Sequence, residues 1–388
     1  MRKFSADFIL SPDGRLLREH TLVVGDDHQI LDLLASNFED AEFHSGILSP
    51  GFVNTHCHLE LSHFKNKISS NTGLDGFINE FVRARKSEDS DSMSAIEEAN
   101  KLMWEKGIQA VGDICNNDST FAIKNKSKIR YHSFIEIFSM QKEEAEKTFS
   151  DGISLLKKAI ASHQNASLIP HAPYSSSSKL FELIKTYHQQ KPSLWSIHNQ
   201  ESESENEMFV HRSGKLLNMF TQKGIDMSWF SSTGANSLQT ISKYFPLKSK
   251  ILLVHNTFTN VSDIKFLKEN NFFDRVWLSL CSKANLFIEG QLPDVAMLQE
   301  QNCRITIGTD SLASNNTLSV LDELIEIQNA FPDISVESLL TFATKNGAEY
   351  FGWNDLGSFT RNTKPGIINI INSSNKNLGK NSQVIRII

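Results

Sequence analysis

Pro50-Gly51-Phe52-Val53-Asn54-Thr55-His56-Cys57-His58-Leu59-Glu60-Leu61-Ser62 is the stretch on which the reading of the fold turns. A short apolar run leaves a Pro-Gly turn and ends in His-x-His, and on an extended strand residues two positions apart point to the same face. One strand end can therefore offer two imidazoles to one metal ion. Taken alone, the motif reads equally well as two half-buried polar histidines. Three further stretches repeat its design: Ser196-Ile197-His198-Asn199-Gln200-Glu201, Leu252-Leu253-Val254-His255-Asn256 and Thr306-Ile307-Gly308-Thr309-Asp310-Ser311. Each carries a short apolar run into a His or an Asp, and four such strands look like one site assembled at one end of a sheet or barrel.

Outward from these strands the chain alternates strand and helix. Apolar strand candidates are Gly51 to Thr55, Ala110 to Ile114, Tyr131 to Phe138, Ser167 to Pro170, Leu194 to His198, Ile251 to His255, Val276 to Leu280 and Ile305 to Gly308. Helical patterns between them include Ser94 to Trp104, Lys142 to Ala161, Ser178 to Tyr187, Glu205 to Phe220 and Leu318 to Asn329. Eight strands separated by helices are the count of a (β/α)8 TIM barrel, whose reactive residues sit at the C-terminal ends of its strands. The flanks differ: Ser11-Pro12-Asp13-Gly14 and Gly25-Asp26-Asp27 punctuate β-rich runs before the barrel, and Gly366 to Ile371 and Gln383 to Ile388 are strand-like after it. The expected division is 1–49 and 351–388, pairing into one small β-sandwich domain, around a barrel at 50–350. Ser87 to Ser92 and Asn372 to Asn375 are polar, low in complexity and expected in surface loops.

The chain has 388 residues and a net charge of −6, with no Lys/Arg-rich block, which argues against nucleic acid as a partner. Cys57, Cys115, Cys281 and Cys303 are widely spaced, and Met1 to Asp7 carries no apolar signal core, so a reduced, cytoplasmic setting is expected. No apolar run approaches the roughly 18 residues of a membrane span. The partner expected is a small-molecule substrate; a homodimer is left open.

In their order and intervals these motifs carry a resemblance. Pro50 to Glu60, His171-Ala172-Pro173-Tyr174-Ser175, His198-x-x-Glu201, His255, Gly308-Thr309-Asp310-Ser311-Leu312-Ala313-Ser314-Asn315 and Ala343 to Ala348 resemble the amidohydrolase superfamily in its deaminase branch. That branch holds the S-adenosylhomocysteine/methylthioadenosine, aminofutalosine, guanine and cytosine deaminases. His58-Leu59-Glu60-Leu61-Ser62, Glu201-Ser202-x-x-Glu205 and Gly308 to Asn315 are most similar to aminofutalosine deaminases.

The resemblance implies one divalent metal ion held by His56, His58, His198 and Asp310. Imidazole and carboxylate suit Zn2+ or Fe2+, with Zn2+ preferred. His171 stands where binuclear branches carry a carboxylated lysine, which implies a mononuclear site. The implied reaction is hydrolytic deamination of an aminated heterocycle, with an adenine nucleoside such as aminodeoxyfutalosine as the leading substrate. Glu201 would take the water's proton and pass it to a ring nitrogen, and His255 and Asp310 would orient the water and shuttle the second proton to ammonia. His171 and Glu80 are the substrate contacts the resemblance implies. Arg83 and Arg85 share the excursion of Glu80, although a solvated helical face fits at least one of them. Asn285 falls in a strand 7 loop where Ser282 and Ala284 depart from the family's pattern.

Other readings of these residues are weaker. Glu203 and Glu207 fit an acidic first helical turn, and Cys57 faces away from its two neighbours as a packed residue. His63, His132, His163, His188 and His211 lie outside any strand-end pattern and fit the surface or the core. The chain lacks the C-x-x-C of cytidine-type zinc deaminases and the H-E-x-x-H of metalloproteases. A barrel kept only as a binding scaffold would usually have lost a ligand or Glu201. The serious alternative is another amidohydrolase using the same mononuclear site: an amidase, a dechlorinase or a non-purine deaminase.

Overall fold

The computed structural model describes residues 1–36, 38–86, 92–228, 230–375 and 377–388. Eight parallel strands are hydrogen-bonded side by side: Phe52–Cys57, Ile108–Cys115, Arg130–Ile137, Asn165–Pro170, Trp195–Asn199, Ile251–His255, Val276–Leu280 and Ile305–Ile307. They are barrel strands 1 to 8 in chain order. Strand 8 pairs with strand 1, and the cylinder closes where the His198 amide donates to the His171 carbonyl at 3.0 Å, joining strands 4 and 5. All eight expected strands are present, and strands 6 and 7 have the expected bounds.

Side chains that alternate along each strand go to two separate cores. Val53, Ala110, Ile114, Phe134, Ile169, Leu252 and Val254 point inward and fill the cylinder, which Tyr350 and Phe351 of the helix Lys345–Phe351 plug from below. Val111, Cys115, Ile135, Ile197, Leu253 and Leu278 point outward, under the surrounding helices. The parallel strands are thus buried on both faces, which is why they read as continuous apolar runs.

The two flanking segments make one further sheet. Strands Arg2–Leu10, Leu16–Leu17, Thr21–Val24, Ile30–Leu34, Glu42–Pro50, Ile367–Ser373 and Leu378–Arg386 belong to it. The expected β domain built from both flanks is therefore present, and hydrogen bonds join all its strands into a single continuous sheet. Phe4, Ile9, Leu22, Val24, Ile30, Leu48, Phe359 and Ile367 form its core. Glu42–Pro50 pairs with Ile367–Ser373 and leads through Gly51 directly into barrel strand 1.

One expected helix is broken. Glu205 to Phe220 reads as a single amphipathic run, but the structure has helices Glu203–His211 and Lys215–Gln222. Arg212 turns left-handed at φ 52° and Gly214 sits at φ 99°, a conformation favourable to glycine. Met208, Phe209, Leu216, Met219 and Phe220 nevertheless share one core, which explains the unbroken apolar stripe. Of the expected loop Ser87 to Ser92, residues 87–91 lie outside the described residues, and Ser92 begins the helix Ser92–Glu105. His132 and His188 are core residues: His132 pairs with Ser167 at 2.9 Å and His188 with the Leu168 carbonyl at 2.7 Å. Among the described residues no helix is long and apolar enough to cross a membrane.

Candidate metal centre

The strand ends bring the expected ligands together. His56 and His58 project from the end of strand 1 and its exit, with their Nε2 atoms 3.1 Å apart. Asp310 Oδ1, beyond strand 8, lies 3.6 Å from His56 Nε2 and 3.4 Å from His58 Nε2. The rings of His56 and His198 are 4.9 Å apart in an edge contact, and nitrogens of His56, His58 and His198 lie within 4.8 Å of one another. Two ligands each about 2.1 Å from a tetrahedral Zn2+ sit roughly 3.4 Å from each other. The three imidazoles stand within reach of one small divalent ion, with Asp310 beside two of them, and His56, His255 and Asp310 form a second set of donors within 4.8 Å.

The backbone that aims these groups is unusual. Gln200, His255, Asn256 and Asp310 are left-handed, at φ 45°, 72°, 59° and 54°. For side chains other than glycine this conformation is sparsely populated, and surrounding bonds must hold it. Those bonds are present. Asn256 is tied to the adjacent strand 5, its amide donating to the Asn199 carbonyl at 3.0 Å, and its side chain donates to the Leu253 carbonyl at 2.8 Å. Asn54 of strand 1 donates to Thr309 Oγ1 at 2.7 Å and accepts the Thr309 amide at 3.2 Å, fixing the peptide before Asp310.

His198 is oriented by the strand beside it. Its Nδ1 donates to the His171 carbonyl at 2.8 Å, which leaves Nε2 for the centre of the barrel. The His171 ring packs 4.7 Å from that of His198, and its Nδ1 is bonded to Ser175 Oγ at 2.7 Å. His171 thus has one nitrogen satisfied inside its own turn.

Glu201 and His255 form a second pair beside this cluster, with Oε1 and Nε2 3.5 Å apart. Asn285, from the helix after strand 7, donates through Nδ2 to the His255 carbonyl at 3.3 Å; its Oδ1 therefore accepts from His255 Nδ1 at 2.9 Å. That assigns the proton on Nδ1 and turns Nε2 towards Glu201. The altered strand 7 loop keeps this contact despite Ser282 and Ala284.

Electrostatics separates the groups by role. Burial pushes the Glu201 carboxyl up to about 7, with Asp310 and Glu205 adding to the rise against the pull of His255. Burial acts to lower His255, but the Glu201 and Asp310 carboxylates outweigh it and raise the imidazole above its ordinary value. Burial brings His58 down to about 3 and lowers His198 and His56, which keeps these rings neutral, each with one nitrogen free of a proton and able to bind a metal. For Asp310 burial acts upward, yet its hydrogen bond to His56 and the nearby imidazoles hold the carboxyl well below the carboxylate range.

A profile of the amidohydrolase family matches residues 47–388. The chain belongs to this family. As an amidohydrolase it is a metal-dependent hydrolase acting on C–N bonds, and the deaminase reading of its motifs agrees with the relatives it resembles. An adenosine deaminase of Helicobacter pylori is 27% identical over 354 residues, covering 89% of this chain and 84% of its own length. A 5-methylthioadenosine/S-adenosylhomocysteine deaminase of Bacillus cytotoxicus is 23% identical over 381 residues, 92% of this chain and 82% of its own. The fold is that of H. pylori aminofutalosine deaminase, solved with methylthio-coformycin, at TM-score 0.83 and 19% identity, covering 99% of this chain and 97% of that one.

Glu80 stays outside the amidohydrolase cluster described above. It lies half-buried on the helix Gly73–Lys86, and its Oε2 accepts from the Ser69 amide at 2.8 Å. Glu136 was not anticipated. It faces inward near the end of strand 3, buried, with Oε1 3.7 Å from His198 Nδ1 and Oε2 accepting from Asn116 Nδ2 at 3.1 Å. Its signal in the sequence is a lone acid at an inward position of an apolar strand. In the sequence Glu205 stands out only as the last residue of Glu201-Ser202-x-x-Glu205. Its carboxylate accepts the amides of Gln200 at 3.1 Å and Glu201 at 3.2 Å, fixing the turn that carries Glu201. Cys57 packs into the outer core as expected, and all four cysteines are free thiols.

Proposed function

We propose that this amidohydrolase deaminates an adenine nucleoside, and that it does so with one Zn2+ held by His56, His58, His198 and Asp310. The observation that carries the reading is the Glu201–His255 pair, set 3.5 Å apart beside the residues proposed to hold the ion. An ion held there supplies hydroxide at neutral pH. Glu201, buried and raised to about 7, suits a group that takes a proton near neutrality and hands it on to a ring nitrogen. His255, held by Asn285 with its Nε2 turned inward, suits the orientation of the attacking water and, with Asp310, delivery of the second proton to the departing ammonia. The Glu201 and His255 side chains are almost fully buried.

His171 keeps one nitrogen on Ser175 and can offer the other to the heterocycle. Glu80 is assigned to the ribose side, on the excursion between strand 1 and its helix, with the Ser69 amide anchoring its carboxylate. The adenosine-type deaminases named above support the nucleoside as substrate. Fe2+ would suit the same ligands.

The test is ammonia release by the zinc-loaded protein from aminodeoxyfutalosine, S-adenosylhomocysteine, methylthioadenosine, adenosine, guanine and cytosine, with Glu201→Gln as the blank. Turnover of an adenine nucleoside, lost in the blank, is the expected result. Silence across the panel with one metal per chain would overturn the substrate and favour an amidase, dechlorinase or non-purine deaminase.

A further inference from the structure

Outside the barrel wall, directly under the strand 1 ligands, lies a buried ion pair that the chemistry above does not use. Asp113 is on strand 2, where Ala110 and Ile114 point into the cylinder and Val111 and Cys115 away from it. It therefore faces the helical layer. There its Oδ2 meets Nζ of Lys124, from the short helix Phe121–Lys126, and both side chains are buried. Lys124 Nζ also lies 3.0 Å from Cys115 Sγ and donates to Ser133 Oγ at 3.0 Å, so the ammonium is fully engaged. The rings of Tyr131 and Phe121 stand 5.4 and 5.9 Å from it.

Stability alone does not explain such a pair. Desolvating two charges costs about as much as their attraction returns, and apolar side chains of similar volume often serve the fold as well or better. What the pair does hold is a specific amide. Asp113 Oδ1 accepts from the Leu59 N–H at 2.7 Å. Leu59 opens the turn Leu59–Phe64, and the residue before it, His58, gives that turn no side-chain cap. The peptide joining His58 to Leu59 is therefore tied to strand 2 through Asp113. On its other side the His58 amide donates to the Asp310 carbonyl at 3.4 Å.

We propose that Asp113, fixed by Lys124, is a positioning residue for His58: the pair locks the peptide that sets where this imidazole points. The inference rests on the reading of His58 as a metal ligand. A ligand must be held to within roughly half an ångström, and groups that orient ligands are typically worth about 10- to 100-fold in metal affinity.

Two double variants separate this role from a structural one. Asp113→Leu/Lys124→Met removes both charges and the acceptor for Leu59; Asp113→Asn/Lys124→Met removes both charges but keeps an oxygen at Oδ1. Zinc affinity is measured by competition with a chromophoric chelator, and Tm is measured on the metal-free proteins. The Leu/Met protein is expected to fold with at most a modest drop in Tm, from the Leu59 amide left without its acceptor, and to bind zinc about 10- to 100-fold more weakly. The Asn/Met protein is expected to stay within about threefold of the parent. Unchanged affinity in Leu/Met, equal losses in both variants, or a Leu/Met protein that does not fold would each overturn the proposal. A parent protein that takes up no zinc would instead fail the ligand reading itself.

Discussion

His255 Nε2 faces Glu201 Oε1 across 3.5 Å, while Asn285 holds the other ring nitrogen at 2.9 Å. The carboxyl of Glu201 is pushed up to about 7 by burial, so in the free protein it is protonated below that pH. A protonated carboxyl cannot accept the water's proton. With zinc saturating, kcat/KM is expected to rise with pH along a limb centred near 7 and to fall about tenfold per pH unit well below it. Glu201→Gln should lower kcat by about 10²- to 10⁴-fold and abolish that limb. An unchanged profile in the Gln variant would assign the limb to another group.

Glu205 touches no reacting atom, but its two oxygens hold the amides of Gln200 and Glu201. Glu205→Gln keeps one acceptor and turns an NH2 group towards the other amide. Expected is a loss in kcat of up to about 10²-fold with KM nearly unchanged, because only the base is displaced. Steady-state kinetics on the substrate found in the panel separates the two parameters.

Gly308 explains itself by space. A Cβ there would stand 2.8 Å from His56 Cβ, Cys281 Sγ and Ser279 Oγ. Gly308→Ala should cost about 1–3 kcal/mol of stability by overpacking. It should also weaken zinc binding, since one of the atoms in the way belongs to His56, a proposed ligand. Denaturant melts together with chelator competition would detect both effects.

Chelation gives the simplest comparison. An ion bound only by the folded protein stabilises it by about 2.7 kcal/mol when free metal is a hundredfold above Kd. Tm is therefore expected to fall when zinc is stripped and to recover when it is restored. His198→Ala should lose most of that difference along with stoichiometric metal, measured by elemental analysis.

The barrel was legible because its strands are buried on both faces and end in polar residues that have no other reason to be there. Strands 6 and 7 matched to the residue, and the motif residues His56, His58 and His198 stand within 4.8 Å of one another, with Asp310 beside His56 and His58. What stayed hidden depends on partners far away in sequence. Glu136 sits within an apolar strand and acquires meaning only because strand 5 sets His198 beside it. Asp113 looks like any strand residue until Leu59 and Lys124 are seen around it. The break at Arg212 to Gly214 was masked because both helices it separates bury side chains in one core. Glu80 shows the reverse: motif position drew attention to it, while its visible bond is to a backbone amide.

The sheet beside the barrel also dictates an order of events during synthesis. Glu42–Pro50 is made early and runs into barrel strand 1, but its partner Ile367–Ser373 emerges more than 300 residues later. Until then one side of Glu42–Pro50 presents unpaired amides and carbonyls, the kind of edge that recruits strands from other chains. A ribosome that stalls late, or a protease that trims the hairpin Ile367–Arg386, would leave a barrel with all its ligands and an adhesive flank. Such a product should be lost to aggregation before its chemistry is lost.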